Sequence, residues 1–192
     1  MVNNKTDREK IEKGIELILE GIGEDKNDER LKLTPRRTAD MFLEILEGTN
    51  SDPAEFLNAL SEESHEEMVI LKDIPLYSMC EHHLLPFSGN ASIAYIPRDG
   101  KIIGLNTLAK LVDCLSKRLQ LQERLTKEIA DYLVRSLSPQ GVMVVIRAEH
   151  LCMTMRGAKK PGSITITSAV RGLFREKDAT REEAMSLILA DN

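Results

Sequence analysis

Apolar residues along this chain change their period near residue 67, and the change divides it into two parts. Before it, Ile11, Ile15, Ile18 and Ile22 recur at helical spacing behind Thr6 and Glu9, which stand at the separation of a capping box. A second helix is expected from Thr34-Pro35, a capping residue followed by proline at the first helical position. Met41, Phe42, Ile45 and Leu46 form its apolar face, and Gly48 is expected to end it. A shorter helix is predicted from Asp52-Pro53 to Leu60, and the acidic stretch from Ser61 to Glu67 reads as a linker.

Beyond that point, Met68 to Ile74 and Ala91 to Ile96 read as strands, and Pro97-Arg98-Asp99-Gly100 forms a turn at the end of the second. Leu108, Leu111, Val112 and Leu115 pattern one helix; Leu125, Ile129, Tyr132, Leu133 and Leu137 pattern the next, which stops before Pro139 and Gly141. Val142 to Ile146 and the alternating Ile164 to Thr167 are strands again, and a last helix is expected near Thr180 to Leu189. The order β-β-α-α-β-β predicts an α+β domain, an antiparallel β-sheet with two helices on one face. Residues 1–66 thus form an N-terminal helical lobe and residues 67–192 the sheet-bearing domain. Four strands leave exposed edges, which must be covered or paired. Pairing between sister subunits would close a barrel, so a homo-oligomer is expected.

Composition narrows the function classes. Hydrophobic residues are 42% and tryptophan is absent, so the core is built from aliphatic side chains. A net charge of −5 without a long basic run argues against a nucleic-acid partner. No apolar stretch approaches the roughly 20 residues that span a bilayer, so no membrane partner is expected. The N-terminal residues lack the apolar run of a signal peptide. Three cysteines, an odd number, suit a reducing compartment better than a disulfide framework, which points to the cytoplasm.

The candidate chemistry is concentrated in two short stretches, Cys80-Glu81-His82-His83 and His150-Leu151-Cys152, which hold three of the four histidines and two of the three cysteines. Cys80 and His83 have a spacing at which two side chains grip one Zn²⁺. Cys152 as the third ligand leaves a coordination position open, the pattern of a catalytic zinc. His82 and His150 are then spare. Either can move protons beside an activated water, or one of them can be a fourth ligand that closes a structural site. Cys114 falls on or near the apolar side of its helix and is assigned to the core. Gln122-Glu123-Arg124 opens a helix, and an amide beside a carboxylate can read the ring N–H and exocyclic amine of guanine. The same residues equally suit a solvated helix start. Arg37, Lys110, Arg156, Lys159 and Lys160 are candidate phosphate contacts or ordinary surface charge. A cytidine-type zinc deaminase is excluded because the chain has no Cys-x-x-Cys.

Taken together, the runs Ser78 to Pro86, Ala94 to Pro97, Gln120 to Thr126, His150 to Gly157, Lys160 to Ser163, Thr167-Ser168 and Thr34-Pro35-x-Arg37 resemble the zinc-dependent GTP cyclohydrolase I family. The resemblance implies a tunnelling fold: five subunits close a β-barrel, two pentamers stack into a decamer, and active sites lie between subunits. It implies a reaction that opens the imidazole ring of GTP, releases C8 as formate and forms 7,8-dihydroneopterin triphosphate. Carried onto this chain, Cys80, His83 and Cys152 would hold zinc, which activates the water that attacks C8. His82 would be the main proton donor and acceptor, with His150 assisting near the ribose. Glu123, with Gln122, would recognise guanine, and Arg156 and Arg37 would bind phosphate.

The chain departs from the family at the phosphates. Gly104-Leu105-Asn106-Thr107 stands where Gly-Leu-Ser-Lys is usual, so Asn106 and Thr107 occupy triphosphate positions. Lys110 replaces an arginine, and Asp40 stands where many members carry lysine. These changes imply an alternative: intact ring-opening chemistry on a less phosphorylated guanine nucleotide. A non-catalytic oligomer that binds a pterin or purine is a further alternative, against which His82 and His150 both argue.

Overall fold

A computed structural model describes residues 6–25, 28–57 and 65–190. Its centre is a five-stranded sheet in the order β3-β1-β2-β4-β5. β1 (Val69–Cys80) and β2 (Pro86–Ile96) form a long antiparallel hairpin, with a register shift between Leu71 and Ile74 where Asp73 takes a positive φ of 56°. β4 (Gly141–His150) lies along β2, and β5 (Ile164–Gly172) along β4, both antiparallel. The sequence predicts four strands. The fifth, β3 (Leu119–Gln120), pairs in parallel with the last two residues of β1, and two residues carry no readable periodicity.

α3 (Leu105–Ser116) and α4 (Gln122–Leu137) cover one face of the sheet as expected. Leu108, Leu111 and Leu115 from α3 and Leu125, Ile129 and Leu133 from α4 are fully buried against Leu76, Ile93, Val144 and Ile146. Each such side chain contributes about 1.5–3 kcal/mol of burial. The opposite face is not bare, which amends the expectation of helices on one face only. α6 (Leu173–Glu176) and α7 (Asp178–Leu189) cap one end of it, where Phe174, Ala184 and Ile188 bury Ala94, Met143 and Val145. The cause is the unbroken apolar run of β4, which presents hydrophobic side chains to both faces.

In the N-terminal part, α1 (Arg8–Gly21) is capped by Asp7, whose carboxylate accepts from the Lys10 amide at 3.1 Å, not by the expected Thr6 and Glu9. A carboxylate at that position also meets the positive end of the helix dipole. Leu19 is the residue of α1 that the chain buries, while Ile18 and Ile22 stay exposed. α2 (Thr34–Ile45) has Leu33 as its cap, without a side-chain bond, and Thr34 and Pro35 already inside the helix. It ends before Gly48, which lies in a 3-10 turn, Glu47–Asn50. A Cβ at Gly48 would stand 2.1 Å from the Cys114 carbonyl oxygen, so this glycine serves a close approach to α3. A 3-10 turn at Pro53–Glu55 replaces the expected helix as far as Glu55. The remainder of that helix and most of the linker reading fall at residues 58–64, outside the described residues. Asp40 pairs with Arg8 at 2.5 Å and so ties α2 to α1. Among the described residues no helix is long and apolar enough to cross a membrane.

Candidate metal centre and its surroundings

Strand register assembles the site. β1 ends on Cys80, and the loop to β2 carries Glu81, His82 and His83 before Pro86. Leu84 closes this loop in the left-handed region, φ 52°, with its amide donating to the Cys80 carbonyl at 2.9 Å. On the other side of β2, Phe87 lies opposite His150, the last residue of β4. The short helix α5 (Leu151–Thr154) then begins at once and carries Cys152. β3 supplies the third approach: Gln120 pairs with Cys80, and its carbonyl accepts from the Glu81 amide at 3.1 Å. That contact sets the first turn of α4, with Gln122, Glu123 and Arg124, beside the loop.

Cys80 Sγ, Cys152 Sγ and a ring nitrogen of His83 lie within 4.8 Å of one another. Ligands around one tetrahedral cation at 2.0–2.3 Å are separated by roughly 3.5 Å, so a small contraction closes the group on an ion. The three differ in burial: Cys80 is buried, Cys152 half-buried and His83 exposed. Burial first, and the Cys80 sulfur beside it second, push the Cys152 thiol above its ordinary value. Two crowded sulfurs and an imidazole are a soft donor set that a divalent cation would satisfy. Neither His82 nor His150 joins this group among the described residues. Arg156, exposed just beyond α5, lies near enough to lower the Cys152 pKa electrostatically.

The two remaining histidines are held differently. His82 is exposed at the loop tip, its ring edge-on to that of His83 at 6.2 Å. His150 is half-buried, stacked on Phe87 at 4.5 Å and 10° between ring planes. Burial lowers its pKa, and the negative charge of Glu123 opposes that shift. Its Nε2 lies 2.7 Å from Gln122 Oε1. Gln122 is 1% exposed, and its amide nitrogen faces Ile146 O, Thr165 O and Thr167 Oγ1 at 3.0–3.1 Å. The Gln122 amide thus points into the protein rather than to its surface. It is consumed inside the protein, and Glu123 is left as the exposed member of the pair.

Arg124 forms a two-pronged ion pair with Glu81, at 2.5 and 2.9 Å, that locks the loop to α4 and holds the Glu81 carboxyl below its ordinary pKa. Glu81, Arg124, Thr126 and Thr167 lie inside the matched runs of the sequence, but nothing there shows that they pair or what they hold, and Phe87 lies one residue beyond the first run. For the reaction that the sequence resemblance implies, Arg124→Met is expected to lower kcat/KM about 10- to 100-fold with metal content preserved, because His82 on the loop loses its fixed position. Metal analysis beside steady-state kinetics checks this. A change below twofold would mean that the pair is surface decoration.

The remaining candidates are spread out. Asn106 and Thr107 stand in the first turn of α3 and Arg37 on α2; none of the three has a side-chain hydrogen bond or ion pair among the described residues. Lys110 lines a cleft with Glu47, Asp113, Cys114 and Lys117, away from the ligand cysteines. Cys114 is half-buried in that cleft, 4.0 Å from Ser51 O, and not in the core to which the sequence assigns it. Asp40, read as a lost phosphate charge, is already matched by Arg8.

Comparison with known proteins agrees with this geometry. A family model described as GTP cyclohydrolase I matches residues 11–189. The GTP cyclohydrolase 1 of Carboxydothermus hydrogenoformans is 62% identical over 182 residues, 95% of this chain and 95% of that protein. That of Pelotomaculum thermopropionicum is 63% identical over 95% of this chain and 97% of its own length. That of Clostridioides difficile is 56% identical over 96% and 98%. With the family match spanning nearly the whole chain and the cysteine–histidine–cysteine group assembled by its fold, the chain belongs to the GTP cyclohydrolase I family.

Proposed function

We propose that this chain opens the imidazole ring of GTP hydrolytically, releases C8 as formate and yields 7,8-dihydroneopterin triphosphate. The observation that carries the reading is the convergence of Cys80, His83 and Cys152 within 4.8 Å, beside the first turn of α4. Zinc is the cofactor these residues hold, and when bound it supplies a Lewis acid that activates water near neutral pH. Every other part belongs to the chain. The Glu123 carboxylate accepts from N1–H and the exocyclic amine of guanine, which orients C8 toward the metal group. His82, on the exposed loop tip, gives and takes the protons of ring opening. His150 serves the ribose side. Arg156 and Arg37, with Lys110, Asn106 and Thr107, take the triphosphate, in a pocket completed across a subunit boundary.

A homo-oligomer supports that last point. β5 has no strand on its outer side among the described residues, and its Ile164 and Ile166 are exposed. Tyr77 is 74% exposed beside exposed Leu84 and Met41. Sister subunits that continue the sheet into a barrel, five to a ring and two rings to a decamer, would cover these surfaces. The helices α1 and α2 act as a lobe attached to that barrel.

Formate and pterin release from GTP, GDP and GMP by the zinc-loaded protein tests the reading. GTP is expected to have the highest kcat/KM, and a chelator should abolish turnover until zinc is returned. Higher kcat/KM for GDP or GMP would instead establish the altered-phosphate reading from Asn106 and Thr107. Absence of formate from all three nucleotides would overturn the enzyme.

A further inference from the structure

We infer that Gln122 fixes the tautomer of His150, with the proton on Nε2 and the lone pair on Nδ1, so that His150 exchanges protons with substrate only through Nδ1. The inference deepens the proposed reaction, on which its kinetic part rests, but the tautomer follows from hydrogen-bond chemistry inside the chain alone.

The amide of Gln122 has two ends, and its surroundings distinguish them. One end faces the carbonyl oxygens of Ile146 and Thr165, each at 3.1 Å. A main-chain carbonyl only accepts, so that end must be the NH₂ group. The reversed amide would set its oxygen against two carbonyl oxygens, lone pair against lone pair, in a buried position. The threonines beside it agree. Thr126 Oγ1 donates to the Gln122 carbonyl at 2.7 Å, which uses its only hydrogen. In the 2.6 Å contact between Thr126 and Thr167, Thr167 is therefore the donor. Thr167 Oγ1 then has lone pairs free to accept from Gln122 Nε2 at 3.0 Å. Every hydrogen in the cluster has one consistent direction.

Gln122 Oε1 is thus the atom that faces His150 Nε2 at 2.7 Å. An amide oxygen only accepts, so Nε2 carries the hydrogen. A neutral imidazole has one N–H, which leaves Nδ1 as the basic atom. Among the described residues Nδ1 has no hydrogen-bond partner, and stacking on Phe87 fixes the plane of the ring. Protonation changes nothing at Nε2, which donates in both charge states, so the exchangeable proton enters and leaves at Nδ1. Gln122 is on this view a positioning residue, not a contact to the base.

Neutron diffraction from deuterated crystals of the zinc-loaded protein reads the ring hydrogens directly. Deuterium at Nε2 of His150 is expected. Deuterium at Nδ1 with Nε2 bare would overturn the inference whether or not the protein turns over GTP. Kinetics supply the second arm. Gln122→Met removes the acceptor at similar volume and should lower kcat about 10- to 100-fold with KM for GTP within twofold. Thr167→Val removes one acceptor of the amide but leaves both carbonyls to orient it, and should keep kcat within about threefold. A rise in KM with unchanged kcat in Gln122→Met would mean that Gln122 reads guanine after all. Should that variant fail to fold, the neutron map of the unsubstituted protein decides alone. Absence of formate release from the unsubstituted protein would overturn the proposed function while leaving the tautomer to the map.

Discussion

Cys152→Ser should lose formate release from GTP by about a thousandfold or more, and with it the bound zinc, while the protein stays folded. The thiolate is the ligand form of cysteine, and a serine hydroxyl does not deprotonate near neutral pH to replace it. Two ligands, Cys80 and His83, then remain on one loop, too few for the tetrahedral site that the three side chains approach within 4.8 Å. Lowering the pKa of water from 15.7 to about 7 is the contribution lost, and each 1.36 kcal/mol of lost barrier lowering is a factor of ten. The fold does not depend on this residue. Cys152 is half-buried in the four-residue helix α5, while the core is made by α3 and α4 against the sheet. The Glu81–Arg124 fork and the Gln122 cluster still hold the frame. Zinc content by elemental analysis, circular dichroism and formate assays separate the cases. Zinc retained near one per chain with activity within tenfold would remove Cys152 from the ligand set.

The same contrast explains which features are legible in the amino-acid sequence. The Cys80, His83 and Cys152 group is legible because a metal site would constrain residue type, and these are rare residues in two short stretches. The core helices are legible because α3 and α4 bury long, strictly periodic apolar faces. The inward engagement of Gln122 is not legible because its partners on β4 and β5, Ile146, Thr165 and Thr167, are distant in sequence. Sequence spacing reports which face of α4 Gln122 shares, not which strands lie beneath it. The pairing of Asp40 is hidden for a related reason: its partner, Arg8, lies on another helix. β3 is invisible because its pairing with Cys80 is dictated by where α3 ends and α4 begins, not by a pattern of its own. The Ile18 and Ile22 stripe predicts burial, yet this chain leaves both exposed. An apolar face specifies that something will cover it, not that the same chain will.

Glu123→Gln should lower kcat/KM for GTP by about 10² to 10⁴ with zinc content unchanged. Glu123 stands in the first turn of α4, exposed, where the helix dipole favours its negative charge. Its negative charge opposes the burial-driven fall in the His150 pKa. In the proposed complex the Glu123 carboxylate meets the Watson–Crick edge of guanine, which presents two donors, N1–H and the exocyclic amine. A carboxylate accepts both. An amide accepts one and turns its NH₂ against the other, which loses one charge-assisted bond and leaves a donor facing a donor. Hydrogen bonds to charged groups contribute about 1.5–3 kcal/mol each, and losing one while setting a donor against the second donor, about 3–5.5 kcal/mol together, gives the stated range. Inosine triphosphate isolates the cause because it keeps N1–H and lacks the amine. The unsubstituted protein should prefer GTP over inosine triphosphate by at least tenfold, and Glu123→Gln should narrow that ratio by lowering GTP more. Equal kcat/KM for the two nucleotides in the unsubstituted protein would show that base selection does not run through the exocyclic amine, and Glu123 would then retain only its electrostatic effect on His150.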